Sequence, residues 1–575
     1  MKKFTLGFLF ISATFFSVAQ NLNINNQNIQ SIDSLFRVTF KPSEPGAIVL
    51  LAKNGKLIFN SSYGLSNVEF NISLNTGMKM GIGSISKQFA AIAILLLQQE
   101  NKLNIKDDIR KYLPQYNTQG RLISIENLLS HTSGIPSYTE MPGFESLYDK
   151  KVPINTLVKF FEKNELLFEP GSNWSYSNSG YVLAALIVEK ISRMNFNSFV
   201  HEKIFRKLLM GESTFGESEF VIMNKTSEYG QNTPNGKMKH EGQYKWYWAF
   251  GAGQIISTTQ DMLKWDEALY DSSFIRPNLL ALAHKSYILT DGKPANYGLG
   301  WAVEGFEQKT MIQHGGSIGG YRSHGMRIPE DHLYFLVLSN SSETNANLIA
   351  NKALSILYDL PALREQKTNR QQWKEIEGVY ESLNSGLRLQ NNYGDQKSYY
   401  TIKVDSSNRV TAQRSNSLPI TLTVGGKDLL FEKLNPFSGW KLVRDAKGKV
   451  QGIEFSHFFP GYGPVRYNKK ISDSIPKTKN PAKIDSATLS KFIGVYEFEN
   501  NGLRLIERKK NDLFIYDPTL GMRIQLLWIK DNEFWMKETD TPFLFTQDEK
   551  GIINGFTYSN GFKQIRVKRV YNDTK

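Results

Sequence analysis

The sequence predicts an α/β (α+β) protein: one antiparallel sheet flanked by helices, followed by two copies of a smaller antiparallel β-barrel. Three observations predict it. First, "AIVLLAKNGKLIFNSSYG" (Ala47–Gly64) is two apolar runs joined by Asn54-Gly55, a strong two-residue hairpin signal. Second, a further hairpin is expected at Tyr321–Asn340, turning at Pro329–His332, with helix-period segments between the two hairpins at Ser84–Gln99 and Tyr181–Met194. Hairpins at the two ends of such a stretch imply one sheet built from distant segments, with helices packed on it. Third, the tail repeats itself. Gly378-Val379-Tyr380-Glu381 and Gly386-Leu387-Arg388-Leu389 each recur about 116 residues later, as Gly494-Val495-Tyr496-Glu497 and Gly502-Leu503-Arg504-Leu505.

Each segment follows from its residues. "KDDIRKYLP" and "SIENLLSHTSG" read as short helical pieces in a loop-rich region. In the tail, "DAKGKVQGIEF" (Asp445–Phe455) matches "DEKGIINGFTY" (Asp548–Tyr558) in the same order as the other repeats, so a domain has been duplicated with changes in its loops. Short alternating strands with turn signals every ten residues or so predict antiparallel barrels. A Lys- and Pro-containing linker, Lys469–Ser490, is expected between the copies. The resulting division is residues 1–19, 25–360, 373–468 and 489–572.

Composition bounds the function. The 575 residues exceed one ordinary domain, and 40% hydrophobic with 22% charged content is globular. The first nineteen residues carry two lysines, an apolar run from Phe4 to Phe16 and Ser17-Val18-Ala19, the pattern of a removable secretory signal peptide. The run is short for a bilayer span, and no cysteine is present to take a lipid, so no stable membrane insertion is expected. The mature chain is expected in the periplasm or outside the cell. The lack of cysteine excludes disulfides, a thiol nucleophile and thiolate metal sites. Eight scattered histidines lack zinc-enzyme spacing, so neither metal nor organic cofactor is expected. Net charge is +14 and pI about 9.3, but the charge is spread along the chain. With export expected, it suits solubility and attraction to an anionic envelope, and nucleic acid is not an expected partner.

One constellation carries chemistry. In "MGIGSISKQFAAI", Ser84 and Lys87 lie three residues apart at the start of a helix, hence on one face. A serine needs a base within hydrogen-bond reach, and a free N–H at a helix start favours an anion. One short motif therefore offers a nucleophile, its base and half of an oxyanion hole. The bland alternative is a serine N-cap beside an accidental lysine.

Six blocks decide between these readings. Ser84-Ile85-Ser86-Lys87, Tyr176-Ser177-Asn178 and His314-Gly315-Gly316 occur in order, with "LLSHTSGIP" (Leu128–Pro136), "GAGQIISTTQDMLKW" (Gly251–Trp265) and "YGLGW" (Tyr297–Trp301). Over roughly Pro45 to Ser341 the chain resembles the serine β-lactamases and penicillin-recognising peptidases, in the branch of class C β-lactamases, D-aminopeptidases and esterases. The resemblance implies a β-lactamase/transpeptidase-like catalytic domain, with the duplicated tail as two lipocalin-like barrels. It implies Ser84 as nucleophile, Lys87 as a buried base of lowered pKa, and Tyr176 as proton relay to the leaving group. Asn178 is expected to hold Lys87 and the substrate amide. His314, Gly315 and Gly316 are expected on an edge strand beside the serine, the glycines admitting substrate backbone. The N–H of Ser317 is expected to complete the oxyanion hole with that of Ser84.

His314 departs from the lysine that β-lactamases and carboxypeptidases usually carry there, and a neutral histidine attracts a substrate carboxylate less. The D-aminopeptidase and esterase branches resemble the chain better at that position. The known D-aminopeptidase also has two β-barrels after its catalytic domain. With the signal peptide, the resemblance implies an exported serine hydrolase acting through an acyl-enzyme on small molecules or short peptides, D-residue-containing, with cell-wall fragments among the expected sources. A carboxylesterase or β-lactamase of the same fold is the alternative. A penicillin-binding sensor without turnover, or a ligand-binding module, is the alternative of another class. His131, in "LLSHTSG", is expected to brace the loop facing the site. "GGSIGG" lacks the lysine of a phosphate loop, and Trp440, Trp528 and Trp535 are expected in barrel cores. Oligomeric state is not encoded in any motif.

Overall fold

The structure, a computed structural model, describes residues 22–359 except 142, 148–150, 217–220, 231–237, 241–245 and 307–308. In the tail it describes 373–382, 399–414, 420–426, 428–432, 435–457, 466–474, 484–497, 503–517, 522–536, 541–559 and 564–571. The expected signal peptide, the repeat Gly386–Leu389 and Gly502 lie outside the described residues.

The first domain is built on a six-stranded antiparallel sheet. Its strands are β1 (Ala47–Lys53), β2 (Lys56–Tyr63), β3 (Ala302–Phe306), β4 (Lys309–Ile318), β5 (Tyr321–Ile328) and β6 (Leu333–Ser339), in the order β3-β4-β5-β6-β1-β2. The chain thus starts the sheet, leaves it for more than two hundred residues and returns to complete it. The β1–β2 turn has φ of 51° at Asn54 and 70° at Gly55, the two positive values that a tight hairpin of right-handed twist requires. At the β5–β6 turn His332 takes φ 47° after a short 3₁₀ turn at Pro329–Asp331.

Helices cover both faces, which is why β1 reads as an unbroken apolar run. On one face, Ala47, Val49 and Leu51 pack with Ile32 and Phe36 of α1 (Asn26–Thr39), and with a second helix at Ala346–Leu357. On the other, Ile48 and Leu50 pack against α2 (Ser86–Gln99), which is buried on all sides from Ser86 to Leu97. The third helix, α3 (Asn178–Ser192), packs on α2. It starts three residues before the expected Tyr181, because the Ser177 side chain caps it by accepting from Gly180 N–H. It ends at Arg193 in the left-handed region, φ 58°. The helix Thr259–Ala268 contributes Trp265, which stacks on Phe89 of α2 with ring centroids 4.0 Å apart.

Each copy in the tail is a closed eight-stranded antiparallel barrel in which every strand pairs with its neighbours and the last with the first. The duplication extends to side chains. Tyr380 and Tyr496 each donate a hydroxyl hydrogen bond of 2.7 Å to the carbonyl four residues upstream, Ile376 and Phe492. Lys470 and Arg569 each lie 5.9 Å over those rings. Asp445 and Asp548 each accept two backbone N–H groups in matching turns, closed by Gly448 at φ 81° and Gly551 at φ 75°. Trp440 lies in the first barrel's core, while Trp528 packs at the edge of the second core and Trp535 is half-buried. The expected linker needs correction at both ends. Lys469 belongs to the closing strand Arg466–Ser472, and Ser486–Ser490 is a short helix whose Leu489 enters the second core.

Candidate active site

Ser84 sits where two backbones meet. The strand pair Met80-Gly81 with Ile256-Ser257 leads to Ile82, whose N–H donates to Ile255 O. The chain then turns through a 3₁₀ segment, Gly83–Ile85, before α2 begins at Ser86. Ser84 is therefore one tight turn ahead of the α-helix, where the sequence placed the helix start. Gly83 takes φ +52°, and a Cβ there would lie 2.6 Å from Ser317 N. Gly316 meets the same segment from the other side: a Cβ would lie 2.0 Å from Ile82 O. Ser323 Oγ donates to Ile82 O at 2.8 Å and fixes the contact. These two glycines bring the peptide ahead of Ser84 against Gly316-Ser317.

The strand carrying His314 to Ser317 is second in the sheet, where an edge strand was expected. The reason is β3, which the apolar pattern did not reveal. Its ladder ends at Ala302↔Gln313, however, so His314 to Ile318 run past it and pair only with β5 among the described residues.

Lys87 is fully buried, and its Nζ contacts three oxygens: Ser84 Oγ at 3.0 Å, Asn178 Oδ1 at 2.7 Å and Ala252 O at 2.7 Å. Burial alone holds its pKa well below the ordinary lysine range. The neutral amine fits these partners. Its two N–H groups serve the two carbonyl acceptors, and its lone pair remains for the Ser84 hydroxyl. Asn178 opens α3 and is itself fixed, its Nδ2 donating to Thr139 Oγ1 at 3.0 Å and its N–H to Ser137 Oγ at 3.1 Å.

An aromatic shell desolvates the lysine. The Tyr176 ring lies 4.8 Å from Nζ and the Tyr181 ring 5.4 Å. His131 holds the Tyr176 loop by both sides: its carbonyl accepts Ser175 N–H at 2.9 Å, and its Nδ1 accepts Ser177 N–H at 3.0 Å. That bond assigns the proton to Nε2. The His131 ring packs at a tilt against Tyr176 and Tyr297, with centroids 4.3 Å and 4.6 Å apart. Burial holds the His131 pKa well below the ordinary histidine value and keeps the ring neutral.

The His314 ring is 7% exposed and committed internally. Its Nδ1 faces Gly315 O at 2.6 Å and must donate, so Nε2 accepts from Tyr297 O–H at 2.8 Å. Burial pushes its pKa down to about 3. Both ring nitrogens are thus in use, and the ring offers no cation to a substrate carboxylate.

The structure therefore brings together Ser84, Lys87, Tyr176, Asn178, His314, Gly315, Gly316 and Ser317. Sequence reasoning missed Ala252, Thr139, Tyr181, Tyr297 and Gly83. Tyr297 and Ala252 lay within the "YGLGW" and "GAGQ" blocks, but only the fold aims the Ala252 carbonyl at Lys87 and the Tyr297 hydroxyl at His314. Among the described residues there is no group of acidic or histidine side chains able to hold a metal ion.

A buried lysine hydrogen-bonded to a serine at a helix start, on an antiparallel sheet covered by helices, defines the class of penicillin-recognising serine hydrolases. A model of the family described as Beta-lactamase matches residues 32–359, and the chain belongs to that family. Penicillin-binding protein 4* of Bacillus subtilis is 29% identical over 360 residues, covering 57% of this chain and 76% of that protein. Protein flp of Staphylococcus aureus is 27% identical over 325 residues, and the chain spans 64% of its length. Among solved structures, the octameric penicillin-binding protein homologue from Pyrococcus abyssi superposes with a TM-score of 0.53 at 23% identity, over 77% of this chain and 99% of that one. D-amino acid amidase from Ochrobactrum anthropi superposes at 0.51 and 22%, over 58% and 99%.

Proposed function

We propose that this protein is an exported serine hydrolase that works through an acyl-enzyme at Ser84, on short peptides or amides containing D-residues. The observation that carries this reading is Lys87 Nζ, fully buried and 3.0 Å from Ser84 Oγ, with both other contacts to carbonyl oxygens. Such an amine accepts the serine proton as Oγ attacks a carbonyl carbon. The oxyanion forms between the backbone N–H groups of Ser84 and Ser317. Tyr176, beside the same amine, passes the proton to the departing nitrogen, and water later releases the acyl group.

The neutral, enclosed His314 supports substrates that need no free carboxylate, which favours the aminopeptidase and amidase side of the family over the carboxypeptidase side. A fold shared with a D-amino acid amidase makes D-residue amides the first class to assay. Export rests on the first nineteen residues, with their lysines, apolar run and small residues before the expected cut.

The test is turnover by the purified protein and its Ser84→Ala variant of a D-alanine anilide, a short-chain ester and a chromogenic cephalosporin. The reading predicts steady turnover of the anilide that the variant lacks. A single burst without turnover would replace the hydrolase by a sensor, and preference for the ester would replace the peptidase by an esterase.

A further inference from the structure

The two backbones that would form the oxyanion hole belong to distant parts of the chain, and one partly buried ion pair links them, directly at the Gly320 turn and through two rings at Gly81. Glu228 is 3% exposed and Lys225 faces it at 3.0 Å. The other Glu228 oxygen, Oε2, accepts the N–H of Gly320 at 3.2 Å. Gly320 lies in the turn that ends β4, three residues after Ser317. The preceding residue, Gly319, takes φ +50°, and a Cβ there would lie 2.1 Å from the same Oε2. The turn is thus pressed directly onto the carboxylate.

Lys225 reaches towards the other backbone. Its Nζ lies 5.5 Å over the Trp246 ring and 5.7 Å over the Tyr321 ring, which meet edge to face at 5.9 Å. Those same rings, with Ile318, close on Gly81: a Cβ there would lie 2.7 Å from Trp246, 2.9 Å from Tyr321 and 3.0 Å from Ile318. Gly81 is three residues before Ser84. The segment's backbone repeats the link, since Lys79 N–H donates to Asn224 O and Thr226 N–H to Lys79 O. Tyr321 O–H donates to Thr226 O. At its far end Tyr229 N–H donates to Asn340 O at the end of β6.

We propose that Glu228, held by Lys225, is a positioning residue that sets the separation of the two oxyanion donors, Ser84 N–H and Ser317 N–H. It touches no reacting atom. It rests on the acyl-enzyme reading above, and it acts by fixing the Gly319-Gly320 turn against the Gly81 arm. A backbone donor displaced by about 1 Å costs on the order of a hundredfold in rate. Loss of the carboxylate therefore lowers kcat by about ten- to a hundredfold and leaves KM within about twofold, because the oxyanion exists only beyond the ground state.

Two variants separate positioning from folding. Glu228→Ala removes the acceptor. Glu228→Gln keeps an oxygen for Gly320 N–H. Both are compared with the full-length protein by amide hydrogen exchange over residues 317–321 and by the rate at which a fluorophosphonate labels Ser84. The proposal predicts faster exchange of that turn and slower labelling in Glu228→Ala, with both largely restored in Glu228→Gln at an unfolding midpoint like that of Glu228→Ala. Unchanged exchange of the turn in Glu228→Ala would overturn it, as would equal labelling by Glu228→Ala and the unaltered protein. A labelling defect in Glu228→Gln as large as that in Glu228→Ala would also overturn it. If the unaltered protein fails to label at Ser84, the acyl-enzyme reading falls and takes the proposal with it; the exchange data then report a structural clamp alone.

Discussion

Replacing Gly316 by alanine would set a Cβ 2.0 Å from Ile82 O and 2.2 Å from Ser323 Oγ. Cβ atoms do not approach other heavy atoms within 3.0 Å, so the backbones of Ile82 and Gly316 must part by about 1 Å. Serine can rotate away, but the Ile82 carbonyl is main chain and is held by the turn that carries Ser84. The displacement therefore falls on the gap between the two oxyanion donors. Misplacement of about 1 Å costs on the order of a hundredfold, and outright loss of one donor about 10²–10³, or roughly 3–4 kcal/mol. Gly315 supplies the control. Its Cβ would point to the opposite face of the sheet, where the nearest atom is His324 Nδ1 at 3.4 Å, an ordinary contact. The assay is kcat for the best substrate of the three-compound panel, with the unfolding midpoint measured in parallel. Gly316→Ala is expected to lose at least about a hundredfold in kcat, and Gly315→Ala to stay within a few-fold. Full activity in Gly316→Ala, or an equal loss in Gly315→Ala, would refute the reasoning.

Other outcomes follow from the same geometry. Lys87→Arg cannot accept a proton at neutral pH and is expected to lose about a thousandfold or more in Ser84 labelling, which intact-mass kinetics would reveal. Tyr176→Phe should depress anilide turnover by about 10²–10⁴ but spare an activated nitrophenyl ester, whose leaving group needs no proton; the ratio of the two rates is the readout. His314 carries a pH signature. Unfolded, it binds a proton near its ordinary 6.5; folded, only near about 3. Between these values the unfolded state holds more protons, so stability falls as pH drops through the window. At about pH 4.5 this one group costs about 3 kcal/mol, and His314→Gln should recover most of that difference in denaturant unfolding between neutral and acid pH.

The sheet was legible where local chemistry specifies it. Asn54-Gly55 demands a tight hairpin whatever surrounds it, and Pro329 to His332 marks the second turn. The short strand β3 was not legible, because Ala302–Phe306 mixes Gly and Glu with apolar residues and pairs only through a non-local ladder. Helix α1 hid for a related reason: its buried stripe is thin, and its cap is an Asn25–Asn28 box in place of the familiar serine and glutamate. Within the site, Ser84 and Lys87 could be found from their spacing, and Asn178 through the family resemblance. Ala252 and Tyr297 could not, since a backbone carbonyl and a core-like tyrosine carry no signal until the fold turns the one towards Lys87 and the other towards His314. His314 was found but read as facing the substrate; only the tertiary contact with Tyr297 shows that both its nitrogens are already occupied.

The central claim is a covalent acyl group on Ser84. Rapid quench of the full-length protein with a D-phenylalanine ester, followed by intact-mass and peptide analysis, tests it most directly. The account predicts a transient mass increase equal to the acyl group, mapped to the peptide containing Ser84 and absent from Ser84→Ala. Turnover with no adduct at any time, or an adduct that persists in Ser84→Ala, would contradict it.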